Sequence, residues 1–252
     1  VERLVAKLMA KGIHPALVKV LASWLQRRKA KVVVGGCSSR AMSLEDMVFQ
    51  GTVLGTVLWN LFYADVADPC KRCGFEETVF ADDLNAFKDA PSSACNIELM
   101  EEAKGCGEEV HAWGGANGVS FEGTKESAHI LSRWDPKGDC LPMLGVTFDL
   151  KLVMDTEVDE IVSKCAWRVT QILRGAPFFS AMELIFLYKQ QVLGIIEYPT
   201  SAIYHASDSV LAPLDALQGR ALRAAGLTDF EALLYARLAP LKTRRDIAMQ
   251  GI

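Results

Sequence analysis

The chain has 252 residues, half of them apolar, enough for one large domain or two small ones around a real core. Charged residues make up 23%, no apolar run reaches the roughly 18 residues of a membrane span, and the start lacks the form of a signal peptide. These features exclude a membrane-spanning protein and point to an intracellular one. Seven cysteines, an odd number scattered along the chain, read as buried thiols rather than a disulfide framework. The net charge, 27 − 31 = −4, opposes nucleic-acid binding taken whole, but it is unevenly spread. Residues 1–40 carry nine Lys or Arg against Glu2 alone, residues 41–160 carry eight against 23 acids, and residues 161–252 carry ten against seven.

In chain order, Val1, Leu4, Val5, Leu8 and Met9 recur at helical spacing with Gly12 as a stop, and Pro15 opens a second helix. Lys29 to Val34 reads as a strand that turns at Gly35-Gly36 and returns through Arg40 to Ser43. Val53 to Val66 suits a largely buried helix, ended by Asp68-Pro69. Phe75 to Phe87 predicts two strands with Asp82-Asp83 at the bend, because Thr78, Val79 and Phe80 favour extended backbone while aspartates tolerate turns. A helix follows from Pro91 to about Trp113, then a break at Gly114 to Gly118. Val119 to Phe121, Ala128 to Leu131 and Met143 to Phe148 supply short strands. From Asp155 the pattern is helical, with an apolar stripe through Ile161, Cys165, Val169 and Ile172 and capping boxes at Ser180/Glu183 and Thr228/Glu231. The expected division is 1–150 and 151–252. All five tryptophans, at 24, 59, 113, 134 and 167, sit in apolar patterns and are expected in the core.

Two short segments carry the chemistry. Gln50-Gly51-Thr52-Val53-Leu54-Gly55 enters the third helix, where glycine permits close backbone approach by a ligand. About thirty positions later comes Phe80-Ala81-Asp82-Asp83. Adjacent carboxylates on a hairpin tip offer the hard oxygen ligands that Mg²⁺ prefers, although an isolated Asp-Asp pair is most often a solvated turn. In this order and spacing the segments resemble motifs B and C of the reverse transcriptases of LINE-type non-LTR retrotransposons. Departures are Phe49 and Thr56, where that family usually has proline.

The resemblance implies an α+β fold: a partial right-hand polymerase palm, a small antiparallel sheet with helices, over 1–150, then a helical thumb-like region over 151–252. It implies two-metal nucleotidyl transfer with Mg²⁺ or Mn²⁺, in which two cations neutralise the charge of an in-line phosphoryl displacement. Asp82 would be the direct metal ligand and Asp83 the supporting one, with Gln50, Gly51, Gly55 and Phe80 at the substrate. Lys125 matches the motif D lysine that would assist pyrophosphate departure, and it reads equally as a plain surface lysine. Leu144-Gly145-Val146 resembles motif E. Arg27, Arg28, Lys29 and Lys31 could contact template backbone or simply complement a helix C-terminus. Partners would be an RNA template, a DNA primer and deoxynucleotides, with an endonuclease domain elsewhere in a polyprotein and no membrane. The family's first carboxylate, in motif A, would precede Val1, so the chain is expected to be a fragment, inactive alone. The alternatives are a non-catalytic remnant that serves as an RNA- or protein-binding scaffold, and a small acidic interaction protein. Cys70-x-x-Cys73 suggests zinc, but no second Cys or His pair stands at finger spacing.

Overall fold

A computed structural model describes residues 1–26, 28–44 and 51–251 and divides the chain into two compact units, Val1–Glu126 and Ser127–Ile252. Helices and small antiparallel hairpins make up both, in keeping with an α+β class.

In the first unit, α1 (Glu2–Ala10) and α2 (Pro15–Leu25) are amphipathic and bury Leu4, Leu8, Val18, Leu21 and Leu25 together with Leu58. Pro15 takes the first helical position, where its missing N–H would have had no partner. The strand–turn–strand expectation resolves into two nested pairs: β1 (Lys29–Ala30) with β4 (Met42–Ser43), and β2 (Val33–Val34) with β3 (Cys37–Ser38). After Thr52, whose side chain caps it by accepting from the Gly55 N–H at 3.1 Å, α3 runs Val53–Tyr63. Only part of it is buried, contrary to the sequence expectation, since Val53, Leu54 and Val57 are exposed. Asp68-Pro69 does not end the helical run. Both lie in the first turn of α4 (Ala67–Arg72), where a proline costs no backbone hydrogen bond.

β5 (Glu76–Phe80) and β6 (Asp83–Phe87) form the expected hairpin. α5 (Asn96–Asn117) then continues through Gly114 and Gly115 and ends at Gly118, which takes the left-handed conformation at φ +71°. Gly114 is required for packing rather than for a break: a Cβ there would lie 2.7 Å from the Val119 carbonyl oxygen and 2.9 Å from the Phe121 ring. Val119 to Phe121 and Ala128 to Leu131 are not strands; Ile130 makes an isolated bridge with Lys137.

In the second unit, β7 (Leu141–Met143) and β8 (Val146–Phe148) form a hairpin where one strand was expected. Leu144 at φ +50° and Gly145 at φ +79° make the turn, both positive as a type I′ turn requires. α6 (Asp155–Arg174) packs chiefly on α10 (Asp208–Ala225). With them stand α7 (Ala181–Tyr188), α8 (Gly194–Glu197), α9 (Thr200–Ile203), α11 (Asp229–Ala236) and α12 (Leu241–Gln250). Both predicted capping boxes form, Ser180 with Glu183 and Thr228 with Glu231. The β7–β8 hairpin belongs here because Val146 is in this unit's core and the Thr147 N–H donates to the buried Glu157 carboxylate at 2.7 Å. The units therefore meet at 126/127, whereas the sequence reading divided the chain at 150.

Candidate functional site

The β5–β6 hairpin closes through a two-residue turn, Ala81-Asp82, between the paired Phe80 and Asp83. Ala81 has φ +56° and Asp82 does not share the positive sign, as in turns that normally place glycine first. An L-residue there is strained by about 1–2 kcal/mol, so surrounding contacts must hold it. Two come from one helix. The Trp59 indole N–H donates to the Ala81 carbonyl at 2.7 Å, and the Tyr63 hydroxyl donates to the Asp82 carbonyl at 3.2 Å. Trp59 and Tyr63 are i and i+4 on α3, which puts them on one face, and their rings stack at 5.0 Å. Behind them the Trp113 ring of α5 meets Tyr63 edge-on at 5.6 Å, and Lys7 Nζ lies 4.7 Å from the Trp113 ring and 4.3 Å from Phe62.

The carbonyls of the turn are thus clamped while its carboxylates, Asp82 and Asp83, face solvent. Burial of Tyr63, followed by the nearby charges of Asp82 and Asp83, pushes its phenol up to about 12. Sequence reasoning missed both clamps, although the readable signal was there: two aromatics four apart on the helix between the two motif segments.

The other expected residues are placed as follows. Gly51, at φ +78°, and Gly55 flank the start of α3. Gln50 and Arg27 lie outside the described residues. It is the far half of α3 that meets the turn; Trp59 is eight residues beyond Gly51, about 12 Å along a helix axis. Phe80 is 63% exposed. Leu84 is only half-buried and Phe87 is 47% exposed. The reason is that β5–β6 is a two-stranded sheet without further neighbours among the described residues, so little covers either face.

Lys125 sits on the 3₁₀ turn Gly123–Lys125 and its Nζ pairs with Glu122 at 2.7 Å, with no ion pair to Asp82 or Asp83 among the described residues. Arg28 folds back on α2, donating to the Trp24 carbonyl at 2.8 Å with its guanidinium 4.6 Å from the Trp24 ring. Lys29 and Lys31 are exposed. Trp134 and Trp167, expected in the core, are 90% and 66% exposed.

Two aspartates are the right donor chemistry for Mg²⁺ or Mn²⁺. Their number does not complete a site: among the described residues no three His, Cys, Asp or Glu side chains are grouped to hold a metal. Cys70 and Cys106 are buried, and burial raises both thiols, so they are inert structural groups.

No family model matches the chain, and no solved structure matches it. Over 94 residues it is 30% identical to an RNA-directed DNA polymerase from the mobile element jockey of Drosophila funebris. Part of this chain is similar to a reverse transcriptase. The match covers 35% of the chain and 10% of that relative's length. No described helix is long and apolar enough to cross a membrane.

Proposed function

We propose that the chain carries the carboxylate hairpin of a LINE-type reverse transcriptase, a domain that copies an RNA template into DNA from a DNA primer and deoxynucleotides. The observation that carries this reading is the strained Ala81-Asp82 turn, held by Trp59 and Tyr63 from the helix that follows Gly51. A turn whose backbone is fixed and whose carboxylates are free is what positioning chemistry needs, because phosphoryl transfer asks the protein to place groups rather than to react. Mg²⁺, when bound, would supply charge neutralisation for the transferred phosphate. In this reading Asp82 is a direct ligand of that ion, Asp83 is the supporting carboxylate, and Phe80 with Gly51 and Gly55 borders the nucleotide. The uncovered edges and faces of β5 and β6 suit further strands of a palm sheet, one of which would bring the bridging carboxylate.

Primer extension on an RNA template with Mg²⁺ tests this reading, measured for the chain alone and for the chain joined to the fingers and first-carboxylate strand of a reverse transcriptase. The joined form extends and the chain alone does not. Asp82→Ala lowers extension by about 10³-fold or more, as loss of a group acting on transition-state charge does. Extension unaffected by Asp82→Ala contradicts the assignment, and no extension in either form leaves the scaffold reading in its place.

A further inference from the structure

One helix of the second unit is built inside out. α11 buries Ala232 and Ala236 and leaves its large apolar side chains in solvent: Phe230 is 71% exposed, and Leu233 and Leu234 are exposed with it. At 100° per residue these three fall within an arc of about 100°, opposite the two alanines. Arg237, at the C-cap, extends the stripe, so the face reads i, i+3, i+4, i+7, the spacing of a seam between helices. Asp229, at the first helical position, and Arg237 are both exposed, and neither makes an ion pair among the described residues. α7 packs on α11 and adds a strip of its own. Met182 and Phe186, i and i+4 on α7, are exposed, and Lys189, one turn further, donates to the Ala236 carbonyl at 3.1 Å, which sets the end of α11 beside that strip.

Scattered apolar side chains on a surface need no partner, but a contiguous group of them marks an interaction face. At about 200 Å² for an aromatic side chain and somewhat less for Leu or Met, Phe230, Leu233, Leu234, Met182 and Phe186 together expose on the order of 500 Å². That matches the apolar centre of a standard interface, which buries about 800 Å² per partner once its polar rim is included. The ends of α11 say which partner. A two-fold axis between Leu233 and Leu234 sets each copy's Leu233 against the other's Leu234 and each Phe230 ring against the other's Arg237 guanidinium, with Asp229 close by to neutralise it. The two helix dipoles then run in opposite directions, which favours the pair. A lipid surface fits less well, because Asp229 and Glu231 put acid in the first turn where a membrane-surface helix carries Lys or Arg. We propose that α11 pairs antiparallel with α11 of a second copy of this chain about that axis, with Met182 and Phe186 of α7 at the flank. The pairing is independent of the hairpin chemistry and is the same in an Asp82→Ala chain.

Sedimentation equilibrium of the chain from about 1 to 100 μM, without Mg²⁺, is the test. The chain sediments as a dimer that dissociates on dilution. Leu234→Arg, which brings two like charges to the axis, raises Kd roughly tenfold or more. Asp229→Arg and Arg237→Asp each weaken the dimer severalfold, since each leaves both ends of the helix with one sign of charge. An equimolar mixture of these two variants recovers the dimer as a mixed pair, because opposite charges then meet at both ends. All three side chains are exposed, so thermal melts of the dilute chain shift little, separating lost contact from lost fold. A chain that is monomeric across the whole range overturns the proposal and gives the face to a different partner. A dimer indifferent to Leu234→Arg, or a mixture no tighter than its two components, overturns it as well. So does binding of the monomer to phosphatidylcholine/phosphatidylserine vesicles in place of self-association.

Discussion

Among the described residues of the second unit, 23 buried apolar residues from β8 through α12 form one cluster, with Tyr188, Leu214 and Leu238 fully enclosed. Among those of the first unit the corresponding cluster has six, drawn from α1, α2 and α3, and the hairpin that bears Asp82 and Asp83 leaves Val79, Phe80 and Phe87 exposed. The residues most suggestive of chemistry therefore stand where burial is thin, and the residues that build most of the core stand where motifs are few. Local order at the hairpin must come from specific contacts, the two hydrogen bonds from α3, rather than from bulk apolar burial. Stability and site geometry should then respond to different substitutions.

The largest effect expected from that contrast is Leu214→Ala, which should cost about 2–5 kcal/mol by opening a cavity on the α10 side of the core. Phe87→Ala on the exposed hairpin should cost under about 1 kcal/mol. Denaturant midpoints at constant m compare the two; equal losses would break the contrast.

Next is a pH effect. Folded Tyr63 keeps its proton to about pH 12 while the unfolded phenol loses it near 10. The unfolded state thus binds fewer protons between those values, and stability falls as pH rises through that window, by on the order of 2 kcal/mol. Absorbance titration of the phenolate should show, besides the buried Tyr188 whose phenol is also pushed up by burial, a late tyrosine whose midpoint drops part-way in Asp82→Asn/Asp83→Asn, since burial, the larger cause for Tyr63, remains.

Smaller again, Trp59→Phe removes the indole donor to Ala81 and should cost about 1 kcal/mol. Faster amide exchange should be confined to residues 80–84. Ala81→Gly should stabilise by a few tenths to about 1 kcal/mol, because relief of the positive φ exceeds the added freedom of the unfolded chain. A destabilised Ala81→Gly would mean that the turn is not strained.

Much of the local structure could be read in advance. Both capping boxes, Pro15 at a helix start and the β5–β6 hairpin depend on residues within a few positions, and local physics decides them. What could not be read depends on distant neighbours. Gly114 looks like a breaker until the Phe121 ring is seen against it. Asp68-Pro69 looks like a stop until a new helix begins one residue earlier. Phe87 alternates like a core residue, yet pattern does not say whether a second layer exists to cover it. Trp167 fails the same way in reverse, because apolar character does not reveal which side of α6 it takes. At the candidate site, the hairpin that bears Asp82 and Asp83 was legible and its clamps were not: Trp59 and Tyr63 act on backbone carbonyls more than 18 residues away, and such contacts leave no motif.

The central claim, that Asp82 and Asp83 form the cation-binding tip of a clamped hairpin, is tested most directly by Mn²⁺ titration of the isotope-labelled chain. Paramagnetic broadening should begin at the amides of 80–84, spread to the Trp59 indole N–H, and vanish in Asp82→Asn/Asp83→Asn while the rest of the spectrum is unchanged. Broadening that begins elsewhere, such as along the acidic run Glu98 to Glu102 of α5, or that survives the double substitution, would contradict the account.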